Sequence, residues 1–144
     1  MSLRPNAYQA YKQTQIETAA PEKLVLMLYN GALNKLKKAK SDIETSNLIE
    51  AHLNLIKVQD ILLELMLSLD WSVGGELPSR LHALYDFMYR RLVQANIKKE
   101  IKPIDEVLNL LTELKDTWYQ MMINSKAGQT VVTKEEPLPT QAVG

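Results

Sequence analysis

The side chains that do most covalent and metal chemistry are scarce here. The chain has two histidines, His52 and His82, and no cysteine. Without cysteine there is no thiolate nucleophile, zinc ribbon or iron–sulfur cluster. Helical bundles that bind metals in their cores use Glu-x-x-His repeats. Ile49 and Ser79 occupy the positions three before each histidine, so that motif is missing and both imidazoles read as surface groups. No glycine pattern suits a phosphate loop, and no Ser-His-Asp set suggests itself. The densest basic run is Lys35, Lys37, Lys38 and Lys40. It lacks interleaved aromatics and is followed at once by Asp42 and Glu44, so it reads as a solvated helix face rather than a nucleic-acid surface. The balance of 17 basic and 17 acidic side chains agrees. Neither an enzyme nor a cofactor site is expected. The residues left to carry function are aliphatic, and their chemistry is the burial of apolar surface against a partner.

The elements that present them are helical. In 144 residues there are only five glycines and six prolines, too few for a turn-rich sandwich, and the length suits one domain. The N-terminus turns polar by Arg4, without the apolar stretch of a signal peptide. The apolar clusters Leu24 to Tyr29 and Ile61 to Leu69 fall well short of the roughly 20 residues a membrane span needs. A cytoplasmic protein with no membrane insertion is expected.

Pro21 suits the first position of a helix, where its missing N–H costs nothing. From there Val25, Tyr29, Ala32, Leu36, Ala39 and Ile43 recur in steps of four and three, a seam along one helix side. Asn47 and Glu50 read as a capping box that opens a second helix. Its seam is Leu48, Ala51, Leu55, Val58, Leu62, Leu65 and Leu69, ended by the turn Asp70 to Gly75. A third helix runs from about Leu77 to Ile97 with the seam Leu81, Tyr85, Met88, Leu92 and Ala95. Pro103 starts a fourth, with the seam Ile104, Val107, Leu111, Leu114, Trp118 and Met121. Residues 125–144 lose all periodicity and read as a disordered tail. Four similar helices with short connections predict an all-α fold, an antiparallel four-helix bundle over residues 21–124. It is preceded by a segment, 1–20, with a short helix near Asn6 to Gln13.

The second helix carries more grease than its seam uses. Fourteen of the 22 residues from Leu48 to Leu69 are apolar, whereas a core-facing bundle helix needs about three in seven. With the seam at heptad positions a and d, Ile49, Leu53, Ile56, Leu63 and Leu67 fall at b and f and point away from the bundle axis. Asp60 is the one charge in that stripe. On the first helix Leu26, Asn30 and Leu33 make a second stripe beside the seam. Two readings stand. Either the chain covers these stripes itself, with its termini or neighbouring helices, or they form a groove for a partner's helices. Lys57, Asp60 and Glu64, three and four apart, are either anchors for a partner's polar groups or solvated charges. Arg90 and Arg91 are open between a bridging pair and partner contact, while Trp71, Trp118 and the six methionines read as fillers of core and groove.

The segment from Asn6 to Gly31 resembles the opening of the FliS family of flagellar secretion chaperones. The family pattern, roughly Y-x-x-Y-x-Q followed by T-A-x-P-E-x-L-x-x-M-L-Y-x-G, is met by Tyr8, Tyr11, Gln13, Thr18, Ala19, Pro21, Glu22, Leu24, Met27, Leu28, Tyr29 and Gly31. Ile56 to Leu65, Ser68-Leu69-Asp70, Gly74-Gly75-Glu76, Leu84 to Leu92, Ala95-Asn96 and Trp118 continue the likeness. It covers about residues 6–123. Ala20 departs from it, standing where the family often has a Ser or Thr cap; that loss costs about 1 kcal/mol.

The resemblance implies a cytoplasmic helical bundle that binds the C-terminal region of flagellin in surface grooves and keeps it unpolymerised for the flagellar type III export apparatus. It implies an N-terminal segment lying over part of that surface, with Tyr8, Tyr11 and Gln13 as the lid. By spacing alone Tyr8 and Tyr11 share a helix face and could equally staple the segment onto the first helix. The residues that the two stripes and their neighbouring charges offer for such a groove are Leu26, Asn30, Leu33, Ile49, Leu53, Ile56, Lys57, Asp60, Leu63, Glu64 and Leu67. The rival reading is an adaptor that uses the same groove for another flagellar or regulatory protein. Monomer and homodimer are both compatible with the sequence.

Overall fold

The computed structural model describes residues 21–132, with side-chain surroundings for 21–125. Tyr8, Tyr11 and Gln13, and most of the segment read as a tail, lie outside the described residues. The elements are α1 (Pro21–Glu44), α2 (Leu48–Leu67), a short 3₁₀ turn (Trp71–Val73), α3 (Leu77–Lys98) and α4 (Ile101–Val132). Each helix packs on the next and α4 returns to α1, so the four form an antiparallel bundle whose core is the seam residues. Ala51, Leu55, Val58, Leu62 and Leu65 of α2 are fully buried, as are Leu36, Met88, Leu92, Ile104, Val107 and Leu111 of the other helices. Regular three-and-four spacing keeps these side chains on the shared axis over several turns.

Buried polar contacts fix how the helices sit. The Tyr29 and Tyr85 hydroxyls meet at 2.6 Å in the core, tying α1 to α3. Burial is the main reason both phenols are held above their ordinary range; the hydrogen bond to Tyr29 adds to the rise at Tyr85, while at Tyr29 the bond opposes it. The neutral forms therefore stabilise the bundle below the unfolded phenol value near 10, and that stability is lost as pH climbs past it. The thermal midpoint should fall between about pH 9 and pH 11, and fall less when both tyrosines are phenylalanine. An equal fall in the two proteins would count against this. Elsewhere Asn54 Nδ2 donates to Asp42 Oδ2 at 2.9 Å, both buried, and pins α1 to α2 beside their connection. Lys40 reaches Asp105 across α1 and α4, and Arg91 reaches Glu106 across α3 and α4. Arg91 is thus a bridging residue, whereas Arg90 pairs with Asp86 on its own helix.

The helix ends differ from expectation in three places. At the end of α1 the Asn47 N–H reaches the Asp42 carbonyl and the Ser46 N–H that of Ile43, a Schellman closure with Ser46 left-handed at φ 61°. This fixes the Asn47 backbone, and its side chain makes no cap bond, so the expected Asn47–Glu50 capping box is not formed. Ser46 lacks the conformational freedom that suits this position; Ser46→Gly should raise unfolding free energy by about 1 kcal/mol, read by urea titration. No gain would mean that the turn relaxes elsewhere. The fourth helix begins at Ile101, two residues before Pro103, whose missing N–H is still among the unpaired first-turn donors. It also runs on to Val132, past the expected boundary at 124, because extending a formed helix adds one hydrogen bond per residue ordered. Met121 there and Leu48 at the start of α2, both expected in the seams, are exposed, because each lies at an end of the bundle beyond the reach of its neighbours' side chains. At 32 residues α4 outreaches its shorter neighbours.

Candidate functional site

The b and f positions of α2 are at the surface. Ile49 is 75% exposed, Leu53 45%, Ile56 37%, Leu63 41% and Leu67 81%. They occupy a helix whose inner face is buried from Ala51 to Leu65, so α2 stands as an apolar ridge. Its two flanks differ. Round the helix, b borders e, which faces α3, and c borders g, which faces α1. Asn54 and Ile61 at g meet Asp42 and Gly31 of α1, and His52 at e meets Asn96 of α3. Ile49, Ile56 and Leu63 therefore overlook the α3 side, whereas Lys57 and Glu64 overlook the α1 side.

A groove follows each flank. The larger, of about 600 Å³, lies between the first half of α1 and the second half of α2. Leu24, Met27, Leu28 and Gly31 line one wall; Asp60, Ile61 and Glu64 line the other. Gly31 opens this wall: a Cβ there would sit 3.5 Å from Ile61 Cδ1, so alanine fits but a longer side chain would project into the space. The walls are mostly aliphatic and the charges on α2 are acidic. The smaller groove, of about 280 Å³, lies between α2 and α3 and is bounded by Ile56, Val93 and Ile97 with a polar end at His52 and Asn96. Trp118 Nε1 donates to the Glu22 carbonyl at 2.9 Å, fastening α4 to the first turn of α1.

The candidate residues are thus not all on one groove. Asp60 and Glu64 line the larger and Ile56 the smaller, with Leu53 and Leu67 on the crest between. Asn30 is exposed and Leu26 half-buried. Leu33 is a correction: at 6% exposure it belongs to the core. It sits four residues after Tyr29 and three before Leu36, which places it on the buried face once that face is wider than the seam. Trp71 is a second correction, since it is exposed, with its ring 5.9 Å from that of His82, and fills neither core nor groove. The sequence reading missed Ile61, Leu24 and Gly31 as lining residues, although Leu24 and Gly31 stand in the motif quoted above. Among the described residues no group of three or more His, Asp or Glu could hold a metal ion, and no helix is long and apolar enough to cross a membrane.

Comparison with known proteins points in one direction. Residues 4–125 match the family model described as flagellar protein FliS. A flagellar secretion chaperone FliS of Bacillus subtilis is 44% identical over 115 residues, 80% of this chain and 85% of the relative. The FliS chaperone of Salmonella typhimurium is 35% identical over 118 residues, 78% of this chain and 87% of its own. A crystal structure of a bacterial flagellar chaperone superposes with a TM-score of 0.69 at 27% identity, covering 82% of this chain and 96% of the other.

Proposed function

We propose that this chain, which belongs to the FliS family of flagellar proteins, is an export chaperone that holds the C-terminal segment of flagellin on the α2 ridge and its two flanking grooves. The family is one of chaperones, not enzymes, so the action is stoichiometric binding. The observation that carries the reading is the row of exposed aliphatic side chains, Ile49 to Leu67, on a helix whose inner side is already packed from Ala51 to Leu65. Such a surface is the receiving half of helix-in-groove recognition, in which an amphipathic client lays its apolar face on the host.

The energetics suit a carrier that must let go. Apolar area removed from water contributes about 25 cal/mol per Å², and ordering a flexible segment offsets several kcal/mol of that. A client covered in this way cannot pair its terminal helices with those of other copies, and its release at the export apparatus needs no nucleotide chemistry. Titration of the chaperone with the C-terminal segment of its host's flagellin, followed by calorimetry and circular dichroism, tests the proposal. Saturable one-to-one binding with a gain of helix is expected. Absence of binding at high micromolar concentration would overturn it.

A further inference from the structure

The larger groove holds a residue that the fold itself does not ask for. Gly31 lies near the middle of α1, a helix of 24 residues, and glycine inside a helix is less stable than alanine. Two ordinary reasons for accepting that cost are missing. The backbone of Gly31 is helical rather than left-handed; the glycines with positive φ are Gly74 and Gly75. Internal packing does not exclude a side chain either. Among the described residues a Cβ would meet only Ile61 Cδ1 within 4 Å, at 3.5 Å, which is an ordinary van der Waals contact. What the missing side chain does leave is a notch in the groove wall beside Leu28 and Ile61.

We infer that this notch is specificity-determining: it receives one large aliphatic side chain, Leu, Ile or Met, from a helix of the client, and glycine stands there to leave room for it. This rests on the client reading above and adds the contact that selects within it. The groove is continuous with the ridge, since Asp60 and Glu64 in its wall interleave with Leu63 and Leu67 on the outer face of α2. A helix lying on the ridge therefore reaches the notch from the side, as a knob enters a hole between packed helices. Around Gly31 the lining is aliphatic, so a polar side chain placed there would lose its water without gaining a partner. Charge then sets the flanks of the knob. No cation lines the groove, and neither Asp60 nor Glu64 makes an ion pair among the described residues, so Lys or Arg beside the aliphatic residue suits the rim and Asp or Glu does not.

Gly31→Leu fills the notch, and Gly31→Ala, whose Cβ the free protein accepts, carries the test should the larger residue misfold. Stability and affinity are expected to move in opposite directions. The thermal midpoint of Gly31→Ala rises, because alanine is the better helix former. Affinity for the flagellin C-terminal segment falls about fivefold in Gly31→Ala and about a hundredfold in Gly31→Leu, the scale on which overfilling a fitted site is penalised. Alanine substitution of each Leu, Ile and Met in that segment should then reveal one position that weakens binding to the wild-type chaperone yet restores binding to Gly31→Leu, a rescue that only direct contact gives. A lower midpoint in Gly31→Ala would show that the fold requires glycine, and would overturn the inference. Unchanged or higher affinity in Gly31→Leu, while Ile56→Asp abolishes binding, would overturn the notch and leave the client reading intact; the higher value would mean that residues 1–20 of the chain itself compete for it. If the segment fails to bind wild type, both are overturned.

Discussion

Ile56→Asp and Leu63→Asp are each expected to abolish binding of the flagellin segment while leaving helix content unchanged. Both side chains stand on the α3-facing edge of the α2 ridge, and both are more than a third exposed in the free protein. A carboxylate at either position still reaches water when the chaperone is alone, so the loss of stability should stay within about 1–2 kcal/mol, the cost of a half-exposed apolar side chain and a weaker helix former. In the complex the same carboxylate would be trapped under an apolar client face. Desolvating an unpaired charge costs several kcal/mol, and the affinity should therefore drop by more than about a hundredfold. Calorimetric titration beside far-ultraviolet circular dichroism checks both halves of the expectation. Binding that survives both substitutions would remove the ridge from the account.

Leu62→Ala should do the reverse. Leu62 adjoins Leu63 in sequence but is fully buried in the cluster that holds all four helices. Deleting three buried carbons loses their transfer free energy and leaves a cavity, together about 2–5 kcal/mol. That is a large part of the 5–15 kcal/mol by which domains of this size are usually stable. Leu63→Ala should cost less than about 1 kcal/mol, since its side chain is already 41% exposed and truncation leaves no closed void. Urea unfolding of the two variants decides the matter. Equal costs would mean that the inner and outer faces of α2 are not distinct.

That contrast between adjacent leucines was legible before any coordinates. The a and d positions Ala51, Leu55, Val58, Leu62 and Leu65 are buried, and the b and f positions Ile49, Leu53, Ile56, Leu63 and Leu67 are exposed, because both follow from angular position on the helix; Leu48, at an a position in the first turn, is the exception and is exposed. What lies between those extremes was not legible. Burial of Leu33, Asn54 and Gln59 depends on how closely a neighbouring helix approaches the flank, which one helix's periodicity does not contain. The grooves are likewise properties of helix pairs. Ile61 lines a space that Gly31, opposite it and without a side chain, helps to keep open, and nothing in the α2 pattern reports that. Local signals failed where a stronger local interaction was already in place, as with the Asn47 cap, whose backbone is taken by the closure of α1. The end of α4 escaped for another reason: residues 125–132 have no apolar period, yet the helix they extend was already formed. The polar pairs Asp42–Asn54 and His52–Asn96 join positions 12 and 44 residues apart and could be found only in three dimensions.

The most direct test is a methyl NMR titration of the full chain with the C-terminal segment of its host's flagellin. Saturable shifts are expected at the methyls of Ile49, Leu53, Ile56, Leu63 and Leu67, with Leu55 and Leu62 nearly unmoved. Saturable binding that left those five outward methyls unperturbed would contradict the binding of the client on the α2 ridge.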